Sequence, residues 1–165
     1  MYSHNVLGFP HKQGPSRRRF VVMDIENVNG GAVGNKLLAD AAFREVADAI
    51  GLTESDHVVI GAGPSSLLAA GLVSQNARLV RGRGLSGADH ALVEVLRDEH
   101  IANRFDEVII VSGDGIFTAV AAWLAFEGAK VTVVARRGRL SKRLQIAAGR
   151  IVLLPELTSQ FGSAA

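Results

Sequence analysis

The chain contains no cysteine. Disulfides, thiolate zinc sites and cysteine nucleophiles are therefore excluded. It also lacks any uninterrupted apolar stretch near the ~18 residues of a membrane-spanning helix, so no membrane association is expected. Charge of one sign is not in large excess, because the formal net charge is +2 over 165 residues. Any polyanionic partner must therefore be sought in how the charges are distributed. No internal repeat is evident. The run Ser16–Arg17–Arg18–Arg19–Phe20 resembles a twin-arginine export signal, which needs an apolar region of about 7–15 residues after the arginines. Asp24 and Glu26 interrupt that region almost at once, so the expectation is a cytoplasmic protein.

What is present is the composition of one ordinary globular domain, 48% hydrophobic and 21% charged, long enough for a single substantial core. Residues 1–18 have no periodicity and read as an N-terminal arm. The domain is expected over 19–155, with a tail over 156–165. Within it, apolar runs alternate with helical patterns. Strands are expected at 19–25, 56–60, 78–81, 107–111, 130–135 and 151–154. Helices are expected at 35–50, 64–73, 87–98, 115–127 and 141–147. In the first helix, Phe43, Val46, Ala47 and Ile50 recur at helical spacing. This alternation predicts an α/β fold with a central, mostly parallel sheet covered on both faces.

Three aspartates fall where strand-like runs give way to turns or helices. Asp24 closes Phe20–Val21–Val22–Met23. Asp89 opens a helical pattern after Ala77–Arg78–Leu79–Val80. Asp114 follows Val108–Ile109–Ile110–Val111 through Ser112–Gly113. Strand ends are where parallel sheets bind ligands, and three carboxylates gathered there would repel unless a cation neutralised them. The pattern predicts a hard divalent ion, Mg2+ or Mn2+, and phosphate chemistry. The competing reading is local. Ser86-x-x-Asp89 looks like a capping box, and Asp114 could simply cap its own helix. Asn27, Ser112 and Glu26 are candidate supporting groups. Basic residues cluster at Arg17–Arg19, at Arg81 and Arg83, and at Arg136, Arg137, Arg139, Lys142 and Arg143. Arg81, Arg83, Arg136 and Arg137 are the candidate contacts to a phosphate backbone.

At these residues the chain resembles the NYN family, relatives of the PIN-domain ribonucleases. The segments that carry the resemblance are Val21–Val22–Met23–Asp24–Ile25–Glu26–Asn27, Gly87–Ala88–Asp89 and Ser112–Gly113–Asp114–Gly115–Ile116–Phe117. Leu140–Ser141-x-x-Leu144, with Ala147–Ala148 leading into Ile151–Val152–Leu153, is similar to the family's closing element. The resemblance covers nearly all of residues 19–155. It implies a three-layer α/β/α sandwich, PIN-like, with central strands ordered 3-2-1-4-5. It implies an Mg2+- or Mn2+-dependent endonuclease acting on RNA, with Asp24, Asp89 and Asp114 as catalytic and metal-binding acids and Asn27 in support. Where the family commonly has a further aspartate, this chain has Ile116. The alternative is therefore a catalytically impaired NYN-like module that binds RNA or a protein partner.

Other motifs compete. Gly61–Ala62–Gly63–Pro64–Ser65–Ser66 is similar to a dinucleotide fingerprint, but Ser66 stands where a third glycine belongs and the next strand ends in Arg81 rather than an acid. Asp24-x-Glu26 resembles the aspartate-phosphatase nucleophile motif without its second aspartate. His57, His90 and His100 share no metal-ligand spacing. Trp123 and Phe126 are expected to complete the core, with an apolar contact surface as the alternative. Self-association has no other support in the sequence.

Overall fold

The computed structural model describes residues 17–73, 75–84 and 87–157. Most of the expected arm and tail, and Ser86 of the capping-box pattern, lie outside the described residues. In chain order the elements are β1 (Arg19–Asp24), α1 (Ile25–Asn29), α2 (Lys36–Ile50), β2 (His57–Ala62), α3 (Leu67–Gly71), β3 (Arg78–Arg81), α4 (Gly87–Asp98) and α5 (Ile101–Arg104). They continue with β4 (Glu107–Val111), a 3-10 turn (Gly115–Phe117), α6 (Thr118–Phe126), β5 (Lys130–Arg136), α7 (Lys142–Ala147) and β6 (Arg150–Leu154).

The six strands form one sheet ordered β3-β2-β1-β4-β5-β6, parallel throughout. Successive side chains of a strand point to opposite faces. Accordingly, Phe20 and Val22 enter one core with Leu92, Leu96, Phe117, Leu124 and Leu144, beneath α4, α6 and α7. Val21 and Met23 enter the other with Ala39, Ala42, Val46 and Ala69, beneath α2 and α3. The result is a three-layer α/β/α sandwich. Each fully buried Val, Leu or Ile stabilises it by about 1.5–3 kcal/mol, which explains why the central strands are near-continuous apolar runs.

Three expectations need correction. α1 and α5 were not visible in the periodicity, being 5 and 4 residues long. The helix expected over 115–127 begins as a 3-10 turn, and the one expected over 64–73 shrinks to Leu67–Gly71. Trp123 and Phe126 are not core residues: they are 37% and 87% exposed. The buried stripe through the 3-10 turn and α6 is Phe117, Val120, Ala121 and Leu124, and helical geometry carries Trp123 and Phe126 to another arc.

Among the described residues no helix is long and apolar enough to cross a membrane.

Candidate functional site

The chain runs from β1 outward through β2 to β3, then returns to place β4 on the other side of β1. That reversal opens a crevice at the carboxyl ends of β1 and β4, the position at which open parallel sheets bind ligands. Asp24 is the last residue of β1 and is only 4% exposed. It caps the short helix α1, its Oδ1 accepting from the Asn27 backbone N–H at 3.2 Å.

Asp89 reaches the same point from the first turn of α4, which packs over β1 and β2. Two glycines bring it there. A Cβ on Gly82 would lie 2.0 Å from the Ala88 backbone nitrogen, and one on Gly87 would lie 2.5 Å from the Gly82 carbonyl carbon. Only glycine at both places lets the end of β3 press against the start of α4. The Asp89 carboxyl hydrogen-bonds that of Asp24. Burial, then this hydrogen bond and the charge of Asp89, push the Asp24 pKa up from 3.8 to about 8. The Asn27 N–H opposes the rise, and Glu26 adds to it slightly. Asp24 therefore keeps its proton at neutral pH when nothing else neutralises the pair. The same donor pair suits a hard cation, because oxygen-only ligands of this kind hold Mg2+ through one or two carboxylates with water completing the shell.

Asp114 lies at the same sheet edge but is exposed. Its Oδ1 accepts from the Ile116 N–H at 2.9 Å, and its own N–H donates to the Ser112 Oγ at 3.2 Å. The local reading is thus correct for Asp114 as a cap of the 3-10 turn. Among the described residues no three His, Cys, Asp or Glu side chains are placed to hold one ion. The three-carboxylate set expected from sequence is reduced to the pair Asp24 and Asp89, with Asp114 on the rim. Ser112 is buried and fixes the turn.

Asn27 spans the crevice itself. Its Oδ1 accepts from the Gly113 N–H at 3.1 Å, tying the turn after β1 to the turn after β4. Its Nδ2 has no partner among the described residues. Glu26 points elsewhere. Its Oε1 accepts from the Ser66 Oγ at 2.5 Å, and that buried hydroxyl accepts from the Val33 N–H at 2.8 Å. Glu26 therefore does not serve as a further acid alongside Asp24 and Asp89. It fills the β2–α3 turn instead, where a Cβ on Gly63 would stand 3.0 Å from Oε1. A pyrophosphate in that turn would meet a carboxylate, which removes the dinucleotide reading. Ile116 packs against the core and lines a groove with Val93, Arg97, Ala119 and Trp123. The groove contains none of the three aspartates.

The bridging role of Ser66 has no signature in the sequence, because its partners lie 33 and 40 residues away. Ser66→Ala would leave the Val33 N–H buried without a partner and release Glu26. We expect a loss of about 2 kcal/mol in stability, read as a lower urea midpoint. An unchanged midpoint would remove this role.

Of the candidate phosphate contacts, Arg81 and Arg83 are exposed and line open clefts at the end of β3 with Pro64, Gly84 and His90. Arg137 is exposed just past β5. Arg136 must be corrected. It is 5% exposed and holds Glu45 through two contacts of 2.5 Å, with further bonds to the carbonyls of Val28 and Pro155. Its position at the end of an inner strand turns it into the layer between sheet and α2, so it is a structural cation.

No protein-family model matches the chain, and no curated protein matches it in sequence. The crystal structure of a protein of unknown function from Vibrio parahaemolyticus is similar to it, with a TM-score of 0.55 and 22% identity, over 86% of this chain and 96% of that one. A likeness at that identity concerns the fold, and it agrees with an α/β/α sandwich built on a parallel sheet.

Proposed function

We propose that the protein is an Mg2+- or Mn2+-dependent ribonuclease that hydrolyses RNA phosphodiester bonds. The observation that carries the reading is the buried Asp24 carboxyl facing Asp89 at the point where the strand order reverses. The resemblance of this edge to the NYN family adds the substrate class. In this reading Asp24 and Asp89 hold the ion, and Asp114 adds negative charge at the open rim. When bound, the ion supplies a Lewis acid and a water of lowered pKa. The remaining work belongs to the chain. Asp24 would have to be ionised to hold the ion. Asn27 keeps the β1 and β4 turns at fixed separation and offers Nδ2 to a phosphate oxygen. Arg81, Arg83 and Arg137 draw in the backbone. We place the protein in the cytoplasm as part of the same proposal; in support, Asp24 and Glu26 interrupt the apolar run after Arg17–Arg19.

A second reading rests on one specific observation. Asp114 is engaged by its own turn and Ile116 stands where a further acid would be. That favours a module that binds RNA or a protein partner without cutting. The two readings separate in one assay: labelled single-stranded RNA is incubated with Mn2+ and either the wild-type chain or Asp24→Asn. Cleavage by the wild type alone supports hydrolysis. Equal cleavage by both proteins ends the enzymatic reading, and binding with no cleavage by either supports the module.

A further inference from the structure

We propose that the segment from the end of β5 into the first turn of α7, residues 137–143, is the far half of a phosphate track, with Arg139 and Arg143 as its contacts, and that one RNA strand crosses the sheet edge from the Arg81–Arg83 rim to this segment. The proposal rests on the ribonuclease reading and adds the path of the strand and the residues on its second flank.

The topology sets the layout. β3 and β5 each lie two strands from β1. The acid pair at the end of β1 is therefore central, with arginines beyond β3 on one side and beyond β5 on the other. Four strand spacings put the two rims about 19 Å apart. That exceeds one nucleotide and fits a strand of several. The acidic edge formed by Asp24, Asp89 and Asp114 disfavours an incoming phosphodiester, so cations on both flanks must hold the neighbouring phosphates in place.

The loop is fixed rather than loosely tethered. The Ser141 N–H donates to the Gly113 carbonyl at 2.9 Å, and the Arg139 N–H to the Arg136 carbonyl at 3.0 Å. The Arg139 carbonyl presses on Gly113 so closely that a Cβ there would lie 2.1 Å from it. The loop backbone is thus clamped to the turn that carries Asp114. The side chains then reach inward. The Arg139 guanidinium nitrogens lie 3.6 and 3.7 Å from where a Cβ on Gly30 would stand, just past α1. An Arg143 nitrogen lies 3.7 Å from the same point on Gly115, next to Asp114. Both arginines are exposed. Among the described residues no carboxylate pairs with Arg137, Arg139, Lys142 or Arg143, although Glu156 approaches the loop at Gly138. Arg136, the neighbour in sequence, is fully committed to Glu45. The loop thus presents charge that the fold itself does not use.

The test is fluorescence anisotropy with a labelled oligoribonucleotide in EDTA, using the full chain carrying Asp24→Asn so that nothing is cut. Adding Arg139→Ala and Arg143→Ala weakens binding about tenfold at low salt and lowers the slope of log affinity against log salt by about 1.4. Lys130→Ala removes a charge at the opposite sheet edge and leaves binding unchanged. A dinucleotide competes poorly with the longer strand. Unchanged affinity and slope in the double arginine variant overturn the track. An equal loss in Lys130→Ala, equal competition by the dinucleotide, or no RNA binding by the parent does the same. Hydrolysis by the wild type with Mn2+ is measured alongside. Cleavage together with an unaffected double variant removes the track alone. Arginine-dependent binding with no cleavage removes the hydrolytic reading and keeps the track.

Discussion

Replacing Asp24 by Asn makes the metal-free protein more stable at neutral and alkaline pH. The wild-type carboxyl keeps its proton to about 8 in the folded state against 3.8 as its ordinary value. Below about pH 4 both states are protonated and the group contributes nothing to pH dependence. Between about 4 and 8 the folded chain holds a proton that the unfolded chain has lost. Unfolding free energy therefore falls with rising pH, by about 1.4 kcal/mol per pH unit. Above about 8 the loss is complete, at roughly 6 kcal/mol. An amide cannot ionise. The carboxamide introduced by Asp24→Asn would still accept from the Asn27 N–H and would donate to Asp89, so the variant keeps the hydrogen bonds without the charge. The stability gap between variant and wild type should thus open from near zero in acid to several kcal/mol at about pH 8. Urea unfolding across pH measures it, and a variant less stable than wild type at the alkaline end would contradict the arrangement. Mn2+ should reverse the ranking by displacing the proton and neutralising both carboxylates. It raises the melting temperature of the wild type, more at pH 8 than at pH 5, and leaves Asp24→Asn unmoved. EDTA returns the wild type to its starting value.

Arg136→Ala carries the second large effect. The guanidinium joins four pieces of chain: the end of α1 at Val28, α2 at Glu45, β5, and the exit of β6 at Pro155. Its loss leaves two carbonyls without their donor and a carboxylate facing a hole. We expect destabilisation of about 3 kcal/mol, at the lower end for breaking a buried pair because Glu45 keeps partial access to water. Lysine does not restore it, since one ammonium cannot make the paired contacts to Glu45 and also reach both carbonyls. Combining Arg136→Met with Glu45→Gln recovers part of the loss, and a double-mutant cycle gives the coupling. If Arg136→Ala alone unfolds at the wild-type urea concentration, the arginine is not structural.

These residues mark the line between what was legible in the sequence and what was not. The strands were legible because each is a short apolar run buried on both sides, and the bounds of β3, α4 and β4 agree with those read from pattern. The meeting of Asp24 with Asp89 followed from their common place at strand ends. Asp114 has a site reading and a local one, and the hydrogen bond from the Ile116 N–H shows the local one, a cap. Arg136 and Arg137 are adjacent and chemically identical, yet one is buried and the other exposed. Strand alternation separates them, and the sequence does not say which face holds a carboxylate 91 residues earlier. Ser66 had no signal for the same reason. α1 was hidden because a single helical turn cannot show a period, although Asp24 with Gly30 at φ 82 bounds it as cap and stop.

The order of the strands also governs how the chain reaches this form. Every neighbour in the sheet is parallel, so no pair can form as a local hairpin, and β1 must wait for β4, with Arg19 aligned on Glu107. Contacts of that sequence separation make folding slow. During synthesis the first three strands can assemble while the second edge of β1, an apolar row ending in the carboxylate of Asp24, stays open. The first strand made is the inner strand that waits longest for its second neighbour, and until then its open edge is exposed to pairing with another chain.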